Sequence, residues 1–161
     1  MAFKALEDAI AEIRRAMVAR EAYRGAKVPA FYVNGTGTIA QTGTTGASDL
    51  LALTVVQMNN GSHYSTATSR FTAPVAGVYL FSVQLVTTTT TAGPQADLWK
   101  NGALLYSSIA MGYGNSYHSF SGTVMAYLQA GDYVQVYWNN NNNTSVTLDR
   151  ARCTFAGHLV N

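Results

Sequence analysis

The sequence contains little charge, few prolines, one cysteine and no long apolar run. Its 161 residues include 10 Lys and Arg, 8 Asp and Glu and 3 prolines, with a net charge of +2. The lone cysteine, Cys153, excludes an intramolecular disulfide and a metal site made of cysteines alone. The small net charge argues against a nucleic-acid partner, which usually needs a clustered basic face. No apolar run approaches the roughly 20 residues that cross a bilayer, so we expect no membrane insertion.

The charged residues are concentrated at the N-terminus. Residues 1–27 carry 10 of the 18 charged side chains, whereas residues 28–161 carry 4 acids and 4 bases and are neutral overall. This contrast predicts two segments, an N-terminal anchor or stalk of residues 1–27 and a folded domain of residues 28–161. The first residues also hold charges where a signal peptide has its apolar stretch, so we expect a protein made without a secretion leader.

The N-terminal segment has the pattern of an amphipathic helix. Its apolar residues recur at steps of 3, 4, 3 and 4, which are the a and d positions of a heptad. We predict a helix from about Ala2 to Tyr23, ended by Gly25 and the following Pro29. The predicted seam, an anchor or an oligomer contact, consists of Phe3, Leu6, Ile10, Ile13 and Met17.

This seam needs a partner, because so few heptads do not form a stable coiled coil alone. Three partners are open: the chain's own body, sister helices of other copies, or a foreign surface. Isoleucine at neighbouring a and d positions, as at Ile10 and Ile13, favours three-stranded association over pairs.

From residue 28 onward, short runs of β-branched and aromatic residues alternate with turn residues such as Asn101-Gly102. About ten strands with no helix between them predict an antiparallel sandwich or barrel. The predicted strands are Ala30–Asn34, Leu51–Met58, Arg70–Thr72, Gly77–Thr88, Ala96–Lys100, Ala103–Ile109, Tyr117–Leu128, Asp132–Trp138, Ser145–Asp149 and Cys153–Val160.

Four blocks of this segment resemble the C1q branch of the C1q/TNF-like jelly-roll family. They lie at residues 64–81, 98–102, 121–134 and 155–159, and their order and spacing match across roughly residues 28–161. The motif residues expected in the core and turns of the fold are Phe71, Pro74, Gly77, Tyr79, Phe81, Gly131, Asp132, Phe155 and Gly157.

The resemblance implies an all-β fold, a ten-stranded antiparallel jelly-roll sandwich, here with a short N-terminal α-helix. It also implies a compact homotrimer. The 10 tyrosines and 2 tryptophans fit this expectation, because these residues are favoured at interfaces. The sequence has no Gly-X-Y collagen stalk of the kind found in animal members, so their complement-like and hormone-like activities are not carried over.

The sequence offers no recognisable catalytic set. Its three histidines lie 55 and 40 residues apart, and no serine stands in a G-x-S-x-G motif. We therefore expect no enzyme, no metal site and no cofactor. Some members of the family that this chain resembles bind calcium through aspartates, and whether this chain does so is left open; the candidates are Asp97, Asp132 and Asp149.

A host glycan is a further candidate partner. Aromatic faces beside small polar residues suit sugars, and the best candidates for such contacts are Tyr106, Tyr113 and Tyr117. The threonine and asparagine tracts are interpreted first as inert solvated loops, with glycan contact as the alternative.

From these features we expect a trimeric structural protein of a virion, made in the host cytoplasm, in a bacteriophage or bacterial member of the family. A capsid-decorating (cement) knob or head spike fits best, because it needs only a short foot to grip a capsid or other virion protein. The alternatives are a receptor- or glycan-binding knob of a phage fibre, or a bacterial spore or cell-surface trimer.

Overall fold

A helix and thirteen short strands make up the described chain. The computed structural model describes residues 2–25, 28–41, 48–88, 93–112, 117–140 and 145–160, with helix side chains described at residues 4–15. The elements are α1 Ala2–Gly25, β1 Ala30–Asn34, β2 Thr38–Gln41, β3 Asp49–Leu50, β4 Val55–Asn60, β5 Tyr64–Ser65, β6 Arg70–Thr72, β7 Gly77–Val86, β8 Pro94–Lys100, β9 Ala103–Met111, β10 Ser119–Leu128, β11 Tyr133–Asn140, β12 Val146–Asp149 and β13 Thr154–Leu159.

The helix α1 extends two residues beyond the predicted end. Its side chains at Leu6, Ile10 and Ile13 are 57%, 41% and 58% exposed. The described part of the seam therefore does not pack on the chain's own body. Of the three partners considered from the sequence, this one is not observed in the single chain. The side chains of Phe3 and Met17 lie outside the described residues.

The strands form two antiparallel sheets and one small ribbon. The first sheet has the order β10-β7-β13-β1-β4. The second has the order β5-β6-β11-β8-β9, with β3 paired to β11, and β2 pairs with β12. Every described strand pairing is antiparallel. The predicted all-β, antiparallel jelly-roll fold with an N-terminal helix is confirmed.

The core lies between the two sheets and is rich in aromatic rings. Along β7, Tyr79, Phe81, Val83 and Leu85 are buried in strict alternation, as a strand with one inward face requires. The Phe31 ring contacts four other rings of this core, those of Tyr64, Phe71, Phe81 and Phe155. Each fully buried large apolar side chain contributes roughly 1.5–3 kcal/mol by leaving water.

The sequence pattern missed three short strands, β2, β3 and β5, and began the strand β4 four residues too early. The predicted strand Leu51–Met58 begins only at Val55. Leu53 is nevertheless fully buried. Its backbone polar groups are satisfied there, because its N–H donates to Ser69 Oγ (3.1 Å) and its carbonyl accepts from Tyr64 Oη (3.0 Å). Two side chains thus replace the strand partner that alternation alone would predict.

Candidate interaction surface

The outer face of the first sheet is formed by strands that carry no formal charge. The segments β1, β4, β7, β10 and β13 contain no Asp, Glu, Lys or Arg. Strands of the second sheet, by contrast, contain Arg70, Asp97 and Lys100. Surfaces that face water permanently usually carry charges of both signs, so an uncharged sheet face is typical of a covered one.

This outer face is divided along the strands into an apolar half and a polar half. Near the start of β7, Leu80 is paired with Met125 of β10, and Val78 is paired with Tyr127. Met125 and Tyr127 are 59% and 57% exposed. We call Val78, Leu80, Met125 and Tyr127 the apolar half. The chain enters β1 from α1 at the same end of the sheet, since Ala30 is paired with His158 and His158 with Leu80.

The apolar half continues around the edge of the sandwich onto β9. Strands β9 and β10 are the outermost strands of their sheets, and Tyr106 Oη donates to the Met125 carbonyl at 3.0 Å. Leu104 and Tyr106 on β9 are exposed. This β9–β10 edge therefore presents a second apolar surface beside the first.

The polar half holds a cleft of about 740 Å³ at the other end of the same sheet. All five strands contribute to it, together with the turn between β12 and β13. Its lining residues are Tyr32, Asn34, Gln57, Gln84, Val86, Tyr117, Ser119, Ala151, Arg152 and Thr154. A cleft of this volume lies within the range of small-molecule sites.

One aromatic wall of the cleft is held in an unusual backbone conformation. Tyr117 has φ 62°, a left-handed conformation that costs energy for a bulky residue. The predicted strand Tyr117–Leu128 begins two residues later for this reason. The backbone N–H of Tyr117 donates to the Thr87 carbonyl at 2.7 Å, and the Arg152 guanidinium lies 4.9 Å from the centre of its ring. The ring is 61% exposed and flanks the cleft.

Comparison with known proteins identifies the family. A sequence model of the C1q domain matches residues 30–160. The chain belongs to the C1q domain family. Among solved structures, the globular domain of zebrafish complement 1qA is similar with a TM-score of 0.59 and 17% identity, covering 84% of this chain and 98% of that one.

Two TNF-type structures are similar to this C1q domain as well. Eiger TNF from S. frugiperda has a TM-score of 0.55 at 14% identity, covering 83% of this chain and 93% of its own. Murine APRIL at pH 8.0 has a TM-score of 0.54 at 15% identity, covering 81% of this chain and 97% of its own. At these identities the likeness shows the shared fold.

The motif residues of this C1q domain lie in its core and turns. Phe71, Tyr79, Phe81 and Phe155 belong to the aromatic core, and Gly77 is the first residue of β7. A β-carbon at Gly157 would lie 2.6 Å from Phe81 Cδ1 and 2.8 Å from Phe31 Cε1, so only glycine fits beneath these rings.

Two motif blocks that are distant in sequence meet at one end of the sandwich. Ala73, next to Pro74, accepts a hydrogen bond from the Gly131 N–H and donates one to the Asp132 carbonyl, both at 2.8 Å. Gly131 has φ 88°, a conformation that favours glycine. The Pro74 turn and the β10–β11 turn thus support each other.

The Asp132 carboxylate links two turns. It contacts Lys100 Nζ at 2.6 Å and accepts hydrogen bonds from Asn101 Nδ2 at 2.7 Å and the Gln129 N–H at 2.8 Å. The hydrogen bond from Lys100, followed by those from Asn101 and Gln129, lowers the pKa of Asp132 to about 2. Asp132 is therefore a structural carboxylate that joins the β8–β9 and β10–β11 turns.

The three aspartates considered for calcium lie in separate surroundings. Asp97 accepts hydrogen bonds from Gln95 Nε2 at 2.6 Å, the Ser108 N–H at 2.9 Å and Asn139 Nδ2 at 3.0 Å. Asp149 pairs with Arg152, and Asp132 with Lys100. Across residues 2–25, 28–41, 48–88, 93–112, 117–140 and 145–160, no three His, Cys, Asp or Glu side chains form a metal-binding group.

The structure separates the tyrosines that were grouped as glycan contacts. Tyr117 lines the cleft, whereas Tyr106 lies on the β9–β10 edge and bonds to Met125 near the other end of β10. Tyr113 lies outside the described residues. Sequence reasoning missed Gln57, Gln84 and Arg152 as cleft residues. The alternation of β7 did place Gln84 on the outer face, but the pattern held no sign that this face forms a cleft.

Within the residues that the structure describes, no helix is both long enough and apolar enough to cross a bilayer.

Proposed function

We propose that this protein is a homotrimeric structural module in which three C1q domains close around a common axis. The observation that carries the proposal is the apolar half of the first sheet's outer face, formed by strands without charged residues, beside the apolar β9–β10 edge. Three copies would remove both surfaces from water. The homotrimer is also what the sequence resemblance implied.

The two apolar surfaces on one chain suit a closed ring. In a cyclic assembly larger than a dimer, each copy presents one patch to its left neighbour and a different patch to its right neighbour. The β9–β10 edge, with Leu104 and Tyr106, supplies one patch. The apolar half, with Leu80 and Met125, supplies the other. Neither patch carries a charge that would have to lose its water on contact.

The sequence pattern of the helix also favours three copies. Leu6, Ile10 and Ile13 are exposed in one chain, and isoleucine at both a and d positions favours trimers. The helix joins the domain at the end where the apolar half lies, so three helices can meet above the three domains. In this arrangement the helices form a short stalk.

We propose further that this stalk is a foot by which the trimer decorates a capsid in a virion. The support is the chain's division into a neutral domain and a charged helix with an exposed seam, which suits a knob held by a short anchor. A tail-fibre knob or a trimer on a bacterial spore or cell surface would use the same parts differently.

Co-sedimentation with purified capsids of the virus that encodes the chain tests whether the helix anchors the trimer to the capsid. The full chain is expected to pellet with capsids, and a variant lacking residues 1–24 is expected to stay in the supernatant as a trimer. Ile13→Glu should weaken pelleting, and the neighbouring Arg14→Glu serves as the matched control. Pelleting of the truncated trimer would contradict the foot, and absence of pelleting by the full chain would contradict decoration.

A further inference from the structure

A histidine lies directly beside the apolar half of the first sheet. His158 of β13 is paired with Leu80 of β7 on one side and with Ala30 of β1 on the other. Leu80 is paired in turn with Met125 of β10. These four residues form one row across the outer face, because paired residues of antiparallel strands point to the same side of a sheet. His158 is exposed in the single chain, and in the proposed trimer its row faces a neighbouring copy.

The face around His158 holds no charged side chain. Strands β1, β4, β7, β10 and β13 contain no Asp, Glu, Lys or Arg. Their other exposed titratable groups are the phenols of Tyr32 and Tyr127, and a phenol is not a counter-ion for a cation at neutral or acid pH. The described side chains of α1, at residues 4–15, are exposed and do not pack on this face.

The surface that a neighbouring copy brings to this face has no free charge either. Strand β9 contains one titratable side chain, Tyr106, whose hydroxyl donates to the Met125 carbonyl. Next to β9, Lys100 at the end of β8 pairs with Asp132 at 2.6 Å, so these two charges are balanced. A protonated His158 would therefore lose its water at the contact without gaining a carboxylate. A neutral imidazole avoids the cost of burying a charge.

This difference makes assembly depend on the protonation of His158. Histidine is the side chain whose charge ordinarily changes between about pH 5 and 8. Because the contact disfavours the charged form, closure of the trimer expels the proton from a protonated His158. Assembly is therefore favoured where the imidazole is neutral. It weakens as the pH falls, because the separated chains take up protons that the closed trimer excludes.

We propose that His158 is a pH-sensitive switch of assembly, which leaves the trimer closed at neutral pH and opens it at mildly acid pH. The inference rests on the proposed trimer and adds a means of regulating it, since the apolar residues alone would hold the copies together equally well at either pH.

Other titratable groups are separate from this switch. Asp132 stays charged throughout the range in which histidine titrates, because its pKa is about 2. Burial lowers the pKa of His63, but this residue belongs to the second sheet, where its carbonyl accepts a hydrogen bond from the Thr72 N–H. His118 precedes β10 at the other end of the first sheet. His63 and His118 therefore provide matched control positions.

The test measures the trimer dissociation constant of the full chain by sedimentation equilibrium from about pH 7.5 to about pH 5. The logarithm of this constant is expected to rise by up to about three for each unit of falling pH, one for each His158 in the trimer. His158→Gln cannot take up a proton and should stay trimeric throughout. His158→Lys carries a permanent charge and should be monomeric even at neutral pH. His63→Gln and His118→Gln should respond to pH like the parent.

Each contrary result has a distinct meaning. A parent trimer with the same dissociation constant across this pH range would overturn the switch and leave the trimer standing. A response that persists in His158→Gln, or that disappears in a control variant, would overturn the assignment to His158. A trimeric His158→Lys protein would do the same. Loss of the β-sheet circular dichroism signal together with the trimer would make unfolding the cause and overturn the switch. A parent that is monomeric at neutral pH would overturn the proposed trimer itself, and the switch with it.

Discussion

The carbonyl oxygen of Ile109 occupies the space where a side chain at Gly122 would lie. A β-carbon at Gly122 would overlap this oxygen, so strands β9 and β10 can approach only because residue 122 has no side chain. The contact closes one edge of the sandwich, the same edge that the proposed trimer uses.

Replacing Gly122 with alanine should therefore destabilise the fold. Because the obstacle is backbone, the strands must move apart, and we expect a loss of about 3 kcal/mol in the free energy of unfolding, at the upper end of overpacking costs. Urea denaturation measures this loss. The control is Ser121→Ala on the exposed side of β10, expected within about 0.5 kcal/mol of the parent. A Gly122→Ala protein as stable as this control would contradict the close approach.

The Asp132 carboxylate should make stability depend on acid pH. Its pKa is lowered from 3.8 to about 2, so the folded state favours the charged form. The resulting stabilisation is complete above the unfolded pKa and is lost as the pH falls from about 4 to about 2. We expect the melting temperature of Asp132→Asn to be lower than that of the parent at pH 7, and the difference to shrink toward pH 2.

Thermal melts from pH 7 to pH 2 test this dependence. Asp8→Asn, on the exposed face of α1, is the control and should follow the parent at every pH. A difference between Asp132→Asn and the parent that stays constant down to pH 2 would contradict a charge-dependent role.

Cys153 should be unreactive in the folded protein. Burial, the largest cause, raises the pKa of its thiol to about 11, and its Sγ accepts a hydrogen bond from the Val86 N–H at 3.3 Å. We expect a thiol reagent at pH 8 to label no cysteine in the native state. After unfolding in guanidinium, it should label one per chain. Rapid labelling of native protein would place Cys153 outside the core.

A charge in the apolar half should prevent assembly. In the proposed trimer Met125 faces a neighbouring copy, and Met125→Glu would bury a carboxylate without a partner there. We expect sedimentation velocity to show monomers at concentrations where the parent is a trimer. Ser65→Glu, which places the same charge on the exposed edge strand β5, should remain trimeric. A trimeric Met125→Glu protein would exclude this face from the interface.

Part of this fold follows from local sequence rules. The alternation along Tyr79, Phe81, Val83 and Leu85 fixes the inward face of β7. Asn101 and Gly102, with φ 52° and 80°, form the tight turn that their residue types predict. Each of these features depends on residues that are neighbours in the sequence, so it can be predicted from the sequence pattern.

Other features depend on residues far apart in the chain. At Leu53, hydrogen bonds with the side chains of Ser69 and Tyr64 take the place of a neighbouring strand. The cleft brings together residues far apart in the chain, such as Gln84 and Arg152, which are 68 residues apart and joined by a hydrogen bond. No local pattern reports such contacts, so the candidate site was predictable only in part, through Tyr117.

The molecular mass of the intact chain in solution tests the central claim most directly. Light scattering on the eluting protein is expected to give about 52 kDa, three times the 17.2 kDa of one chain. A single species of 17.2 kDa at micromolar concentration would contradict the proposed trimer.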